Sequence, residues 1–370
     1  MKRVLIIYGT RPEAIKLAPL VHACQRRAAD IELNVCSTGQ HREMAAQVSE
    51  YFGIVPDVDL ALMQPNQSLA ELTSRCIAGI DRVLSERPID LVVVQGDTTT
   101  AMCAALAAFY RKVHVVHVEA GLRTNNIYSP WPEELNRRIV SLVTALHCAP
   151  TRRAAEALAA EGIDRSTIHV TGNTVIDALL WAVERERSRQ AHWSEQFSML
   201  GDRKMVLITS HRRENFGGGL QNICAALLEL ATRFPQIEFV FPVHRNPSVL
   251  GPVRSMLAEI KNIHLLEPAS YPAFVWLMDR AALILSDSGG VQEEAPSLRK
   301  PLIVMRDTTE RPEAVEAGAA VLVGADAQRI SAAATELLTD PARYCAMQIP
   351  HNPFGDGHAA TRIVEHLLNL

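Results

Sequence analysis

Several things are missing from this chain, and each absence narrows what it can be. Its seven cysteines, Cys24, Cys36, Cys76, Cys103, Cys148, Cys224 and Cys345, are odd in number and include no CxxC pair. A disulfide framework or a structural zinc site is therefore not expected. No apolar stretch approaches the roughly 20 residues of a membrane span. The apolar run in the opening MKRVLIIYGT is too short for a signal-peptide core. There is no excess of positive charge; the formal net charge is −4, which speaks against nucleic acid or an anionic membrane surface as partner. No G-x-G-x-x-G opens a strand–helix unit, so a tightly held nicotinamide is not indicated. His114 and His117 lie three apart on a predicted strand and point to opposite sides, so they form no metal pair. Solenoid-length repeats and low-complexity tracts are also absent. The expectation is a reduced, cytoplasmic protein with no resident cofactor and no metal.

What is present is the material for two α/β domains. The chain has 370 residues, 48% of them apolar and 21% charged, more than one domain usually holds. Short β-branched runs alternate with longer helical stretches. In the first half the strands are predicted at Arg3–Tyr8, Leu91–Gln95, Val113–Val118 and Ala145–Ala149. In the second half they are predicted at Met205–Thr209, Glu238–Phe241, His264–Leu266, Ala282–Ser286, Leu302–Met305 and Ala320–Val323. Such alternation implies parallel sheets covered on both faces. The expected division is residues 1–175, residues 176–356, and an amphipathic helix over 357–370 that packs back on the first domain. The charged stretch Trp181–Lys204 lacks strand character and is placed near the connection. Ligands of doubly wound sheets bind beyond the carboxyl ends of the strands, so the residues that follow strands carry the argument.

Four such segments stand out. Gly9-Thr10-Arg11-Pro12-Glu13, with Lys16 one turn on, follows the first strand. A helix N-terminus with a forked cation there suits an anion, although a tight turn with a surface arginine reads equally well. Asp97 follows the Leu91–Gln95 strand, Glu119 ends the next, and Glu133 and Glu134 follow in the segment Ser129–Arg137. Carboxylates gathered at one sheet edge suit proton transfer; a structural ion-pair network is the competing account. Ser210-His211-Arg212-Arg213-Glu214-Asn215 precedes a run of glycines and would suit a pyrophosphate. Finally, Ser286-Asp287-Ser288-Gly289-Gly290 lets phosphates approach backbone amides, with Glu294 a helical turn on, where a carboxylate can accept two ribose hydroxyls.

Together these segments resemble the non-hydrolysing UDP-N-acetylglucosamine 2-epimerases of bacteria, in order and through nearly the whole chain. The most specific stretches are Gly9–Pro19, Gln95–Thr100, His117–Thr124, Tyr128–Arg137, Thr171–Leu180, Ser288–Leu298, Met305–Ala317 and Asn352–Gly357. The resemblance implies the GT-B fold, two Rossmann-like domains facing across a cleft, and a cytoplasmic homodimer. It implies interconversion of UDP-GlcNAc and UDP-ManNAc for cell-surface polysaccharide precursors. By the same resemblance Asp97, Glu119 and Glu133 match the family's catalytic carboxylates and His211 its essential histidine. Arg11 and Lys16 match the conserved basic residues at the mouth of the first domain, and Ser288, Gly289, Gly290 and Glu294 the phosphate and ribose contacts; Arg212, in its cluster after a strand, is a further expected substrate contact. Gln40, His41 and His244 match positions that hold a second UDP-GlcNAc as activator in some members. Departures are few: Glu43 and Asn66 stand where some regulated members carry glutamine and arginine, and Arg245 follows the histidine where an uncharged residue is common.

The chemistry this implies has a physical rationale. The C2 proton of the sugar is not acidic, because no carbonyl adjoins that carbon. Elimination of UDP from C1 with loss of the C2 proton gives a glycal, and re-addition with protonation on the other face inverts C2. Opposite-face protonation calls for at least two proton carriers, and the carboxylates supply them. A GT-B glycosyltransferase, a hydrolysing epimerase that releases free ManNAc, and a non-catalytic UDP-sugar sensor remain the alternatives at this level.

Overall fold

A computed structural model describes residues 1–40, 42–64, 67–210, 212, 215 and 217–370, without the side chains of Arg42 and Glu43. The chain forms two compact units, Met1–Ala178 together with Phe354–Leu370, and Leu179–Pro353.

The first unit is built on β1 (Lys2–Tyr8), β2 (Ile31–Ser37), β3 (Val58–Asp59), β4 (Leu91–Gln95), β5 (His114–Val118), β6 (Thr144–Ala149) and β7 (Ile168–Val170). They form one seven-stranded sheet in the order β3-β2-β1-β4-β5-β6-β7. Every pairing in it is parallel. The sequence of β1 shows why: Val4 to Tyr8 are all buried, so the strand is covered on both faces and needs no alternation. The second unit holds β8 (Met205–Thr209), β9 (Glu238–Pro242), β10 (Ile263–Leu266), β11 (Leu283–Ser286), β12 (Leu302–Val304) and β13 (Ala320–Leu322). Its six strands run in the order β10-β9-β8-β11-β12-β13. The fold is thus doubly wound parallel α/β twice over, as the alternation implies.

Strand order reverses beside β1 in the first sheet and beside β8 in the second. A crevice opens at such a switch point, because successive connections leave to opposite faces. The segments flagged in the sequence follow β1, β4 and β5 in one unit and β8 and β11 in the other.

Three strands were not expected. β2 carries Glu32 and Asn34 within its run, which breaks the apolar pattern; Asn34 Oδ1 accepts from Arg87 Nη1 at 2.6 Å. β3 and β7 are short edges, of two and three residues, and exist only because a neighbouring strand pairs with them.

The division between units falls inside the helix Thr174–Arg187. The charged stretch beyond it is ordered: it completes that helix, forms another over Gln190–Gln196 and buries Trp193 in a cluster with Phe197 and Trp276. The helix Ala359–Asn369 packs on the helix Arg11–Gln25, and Asp177 accepts from the amides of Ala359 and Ala360 at 3.2 and 2.9 Å. Among the described residues no helix is long and apolar enough to cross a membrane.

Candidate active site

Beyond β1 the chain turns at Gly9 and enters the helix Arg11–Gln25. A Cβ at Gly9 would clash with Oγ1 of both Thr38 and Thr100. The turns after β1 and β2 and the start of the helix Thr99–Tyr110 after β4 therefore meet at a point that only glycine fits. Glu13 reaches back into this junction with 1% of its surface exposed. Its Oε2 accepts from the amides of Gly9 and Thr10, at 3.1 and 2.8 Å, and from Thr10 Oγ1 at 2.7 Å. Its Oε1 accepts from Thr98 Oγ1 at 2.7 Å. Burial pushes this carboxyl's pKa up, and the hydrogen bonds from Thr98 and Thr10 oppose the shift.

The amides of Gly9 and Thr10, which precede the helix, are taken by the chain's own Glu13. Arg11 is exposed at the first helical position, while Lys16 turns inward and donates Nζ to Glu119 Oε2.

Asp97 follows β4 through Gly96, whose φ of +68° sets the bend. Its Oδ2 accepts from Arg137 Nε at 2.8 Å and lies 2.7 Å from Nη2. Its main-chain oxygen accepts from Asn136 Nδ2 at 2.9 Å. His117, wholly buried on β5, holds the same bend by donating Nε2–H to the Gly96 carbonyl at 2.8 Å. A carbonyl can only accept, so Nε2 carries the proton; burial pushes the pKa of His117 down to about 3, and the ring is neutral.

Glu119 directly follows β5 with φ at +63°, the left-handed region that a side chain with a Cβ rarely enters. Such strain persists where the surroundings over-determine it, commonly at functional sites. Here the carboxylate is fixed by Lys16 and by Gln95 Nε2, which donates at 2.8 Å. Glu133 opens the helix Glu133–Val143, half-buried, after cis bonds at Ser129–Pro130 and Trp131–Pro132. Its neighbour Glu134 is wholly buried and structural: it accepts from Arg137 Nη1 at 3.1 Å and from the amides of Thr124 and Asn125 at 3.1 and 3.3 Å. Asp97 and Glu119 are thus each held in an ion pair, Asp97 with Arg137 and Glu119 with Lys16.

In the second unit Asp287, buried after β11, gathers the segment after β8. Its Oδ2 accepts from Ser210 Oγ at 2.9 Å, the amide of Arg212 at 3.0 Å and Asn215 Nδ2 at 3.0 Å. Ser288 immediately precedes the short helix Gly289–Glu294, and its amide donates to Ser286 Oγ at 3.0 Å. A Cβ at Gly289 would come within 3.0 Å of the Arg311 guanidinium, which is held by Glu293 at 2.9 Å and Glu310 at 2.7 Å. Gly290 lies against Glu294, whose Oε2 is 3.7 Å from where a Cβ would stand; Glu294 itself is buried.

Of the remaining expected residues, Gln40 accepts from Thr100 Oγ1 at 3.0 Å in the first unit, and His244 is exposed in the second, its Nδ1 accepting from the Asn246 amide at 3.1 Å. His41, Asn66 and His211 lie outside the described residues, as does the side chain of Glu43. The sequence reading assigned no role to Glu13, Arg137 or Asp287. The first had a visible signal, a Thr-x-x-Glu capping box directly after a strand; the others act through contacts between segments distant in the chain.

The chain matches the UDP-N-acetylglucosamine 2-epimerase family over residues 22–368. It is 52% identical to the UDP-N-acetylglucosamine 2-epimerase of Escherichia coli K12, covering 99% of this chain and 98% of that one. Among solved structures it resembles the Neisseria meningitidis UDP-GlcNAc 2-epimerase bound to UDP-GlcNAc, with a TM-score of 0.93, 49% identity and full coverage of both chains. The Methanocaldococcus jannaschii enzyme, solved with UDP-GlcNAc and UDP, has a TM-score of 0.83 at 34% identity, again over both whole chains. Likeness of this depth across both units means that the chain belongs to the UDP-N-acetylglucosamine 2-epimerase family.

Proposed function

We propose that the chain is an isomerase that interconverts UDP-N-acetylglucosamine and UDP-N-acetylmannosamine by eliminating UDP to a glycal and adding it back. The observation that carries the reading is the pair of cation-held carboxylates, Asp97 on Arg137 and Glu119 on Lys16, at the ends of adjacent strands in a chain about half identical to epimerases throughout its length. Adjacent strands lie about 4.8 Å apart, a spacing that suits two groups serving one sugar ring.

In this reading Asp97, Glu119 and Glu133 carry protons to and from C2, and His211 assists departure of the diphosphate. Arg11, Lys16 and Arg212 offset the charge that builds on the leaving group, where fixed cations and dipoles act without reorganising. Ser288, Gly289 and Gly290 receive the phosphates and Glu294 the ribose. Gln40, His41 and His244 are the candidates for an activating second UDP-GlcNAc. A homodimer in the cytoplasm, supplying precursors of surface polysaccharide, completes the proposal.

The test is proton NMR of UDP-GlcNAc with the protein in D2O. Signals of the 2-epimer should appear with deuterium at C2 of both sugars. Free ManNAc and UDP as the main products would favour hydrolysis instead, and an unchanged spectrum would overturn catalysis on this substrate.

A further inference from the structure

We infer that Arg137 is a positioning residue of the reaction: it aims and neutralises Asp97 and takes no part in holding the diphosphate. The inference rests on the proposed role of Asp97 in proton transfer. Three features of the guanidinium carry it. Only 6% of Arg137 is exposed. Nε and Nη2 both point at Asp97 Oδ2, at 2.8 and 2.7 Å. Nη1 donates to the wholly buried Glu134 at 3.1 Å. A cation clasped between two carboxylates has its charge offset on both sides, which spends it on the carboxylates ahead of a phosphate. Its planar fork does, however, fix where one Asp97 oxygen points, which an ammonium on a flexible stem would do less well.

The helix Glu133–Val143 thereby performs two tasks. Its first residue, Glu133, is one proposed proton carrier. One turn on, Asn136 and Arg137 hold the main chain and the carboxylate of another, with His117 bracing Gly96 from β5. The separation of the two carboxylates is set by one rigid element, which is how a site with two proton carriers keeps its geometry.

The experiment compares Arg137→Ala, Arg137→Lys and Asp97→Asn, assayed for UDP-GlcNAc epimerisation with and without added guanidinium chloride. Arg137→Ala should lower kcat by about a hundredfold while KM stays within about threefold, the pattern of a group that acts on the reacting constellation and not on ground-state binding. Millimolar guanidinium should restore at least about tenfold of the loss, saturably, by refilling the space beside Asp97. Arg137→Lys should fall between wild type and Arg137→Ala. Asp97→Asn should be inactive and unresponsive to guanidinium. If Arg137→Ala raises KM and spares kcat, the residue is a substrate ligand and the inference fails. It also fails if Arg137→Lys matches wild type, or if guanidinium does nothing for a variant whose circular dichroism and melting match wild type. If Arg137→Ala does not fold, a circular-dichroism-normal Arg137→Lys with unchanged kcat overturns the inference and one with lowered kcat and unchanged KM supports it. Near-normal activity of Asp97→Asn would instead sink the role of Asp97 itself, whatever the Arg137 variants do.

Discussion

Lys16 and Glu119 lie 103 positions apart in the chain and form a largely buried ion pair between the helix after β1 and the end of β5. Removing one partner of such a pair leaves a charge uncompensated in a poorly solvated place, at a cost of roughly 3 kcal/mol or more. Lys16→Met should therefore lower stability by that order in a urea titration. It should also depress kcat by at least about tenfold more than it raises KM, because Glu119 loses its anchor. A pure rise in KM would mean that Lys16 holds the substrate in its ground state and acts on neither Glu119 nor the departing diphosphate.

Asp97→Asn and Glu119→Gln keep shape and hydrogen-bonding capacity but cannot accept a proton. Each should reduce turnover by about a hundredfold or more, the usual scale for losing a positioned acid or base. Binding of UDP, measured by calorimetry, should be retained in both, since most of the proposed nucleotide contacts, Arg212, Ser288, Gly289, Gly290 and Glu294, lie in the other unit. Substantial turnover by both variants would remove the carboxylates from the chemistry.

Glu13 joins the turn after β1 to Thr98 in the turn after β4, through four donors. Glu13→Ala orphans buried amides and hydroxyls, each costing roughly 1–3 kcal/mol. A loss of about 3 kcal/mol or more in denaturant midpoint analysis is expected. Both flanking segments carry proposed site residues, Arg11 and Asp97, so activity should fall even under conditions where the variant is folded. A variant as stable as wild type would show that water replaces the carboxylate at no cost.

His117 makes stability depend on pH. Its folded pKa is about 3 because burial disfavours the charged ring, against about 6.5 in an unfolded chain. Between those values the unfolded state binds a proton that the folded state does not, so stability falls as pH falls through the window. One such group contributes a slope of about 1.4 kcal/mol per pH unit there. His147, also pushed down by burial, acts in the same direction. Unfolding free energies at pH 7 and pH 5 should show His117→Gln, which keeps an N–H for the Gly96 carbonyl, losing less on acidification than wild type. Equal losses would show that His117 does not titrate on unfolding in this range.

Much of the fold can be read in the chain because local physics writes it there. Runs such as Val4–Ile7 and Leu91–Val94 are apolar without alternation, and that pattern marks a parallel strand covered on both faces. The strands that escaped reading are those whose own residues do not determine them. β2 is interrupted by polar side chains, and β3 and β7 are too short to stand without a partner. The candidate site divides in the same way. Asp97, Glu119 and Ser288 stand directly after strands, where chain order alone picks them out.

The sequence by itself determined two units of alternating strands and helices, the acids and small residues at strand ends, and membership in a family whose ordered motifs run the length of the chain. These follow from composition and spacing along one dimension. Only the tertiary structure decided which acid meets which cation: Asp97 with Arg137, Glu119 with Lys16, Glu134 and Glu13 buried as struts. Such pairings join residues as many as 103 positions apart, and they are settled by strand order and by the desolvation of charges that must find partners once packed.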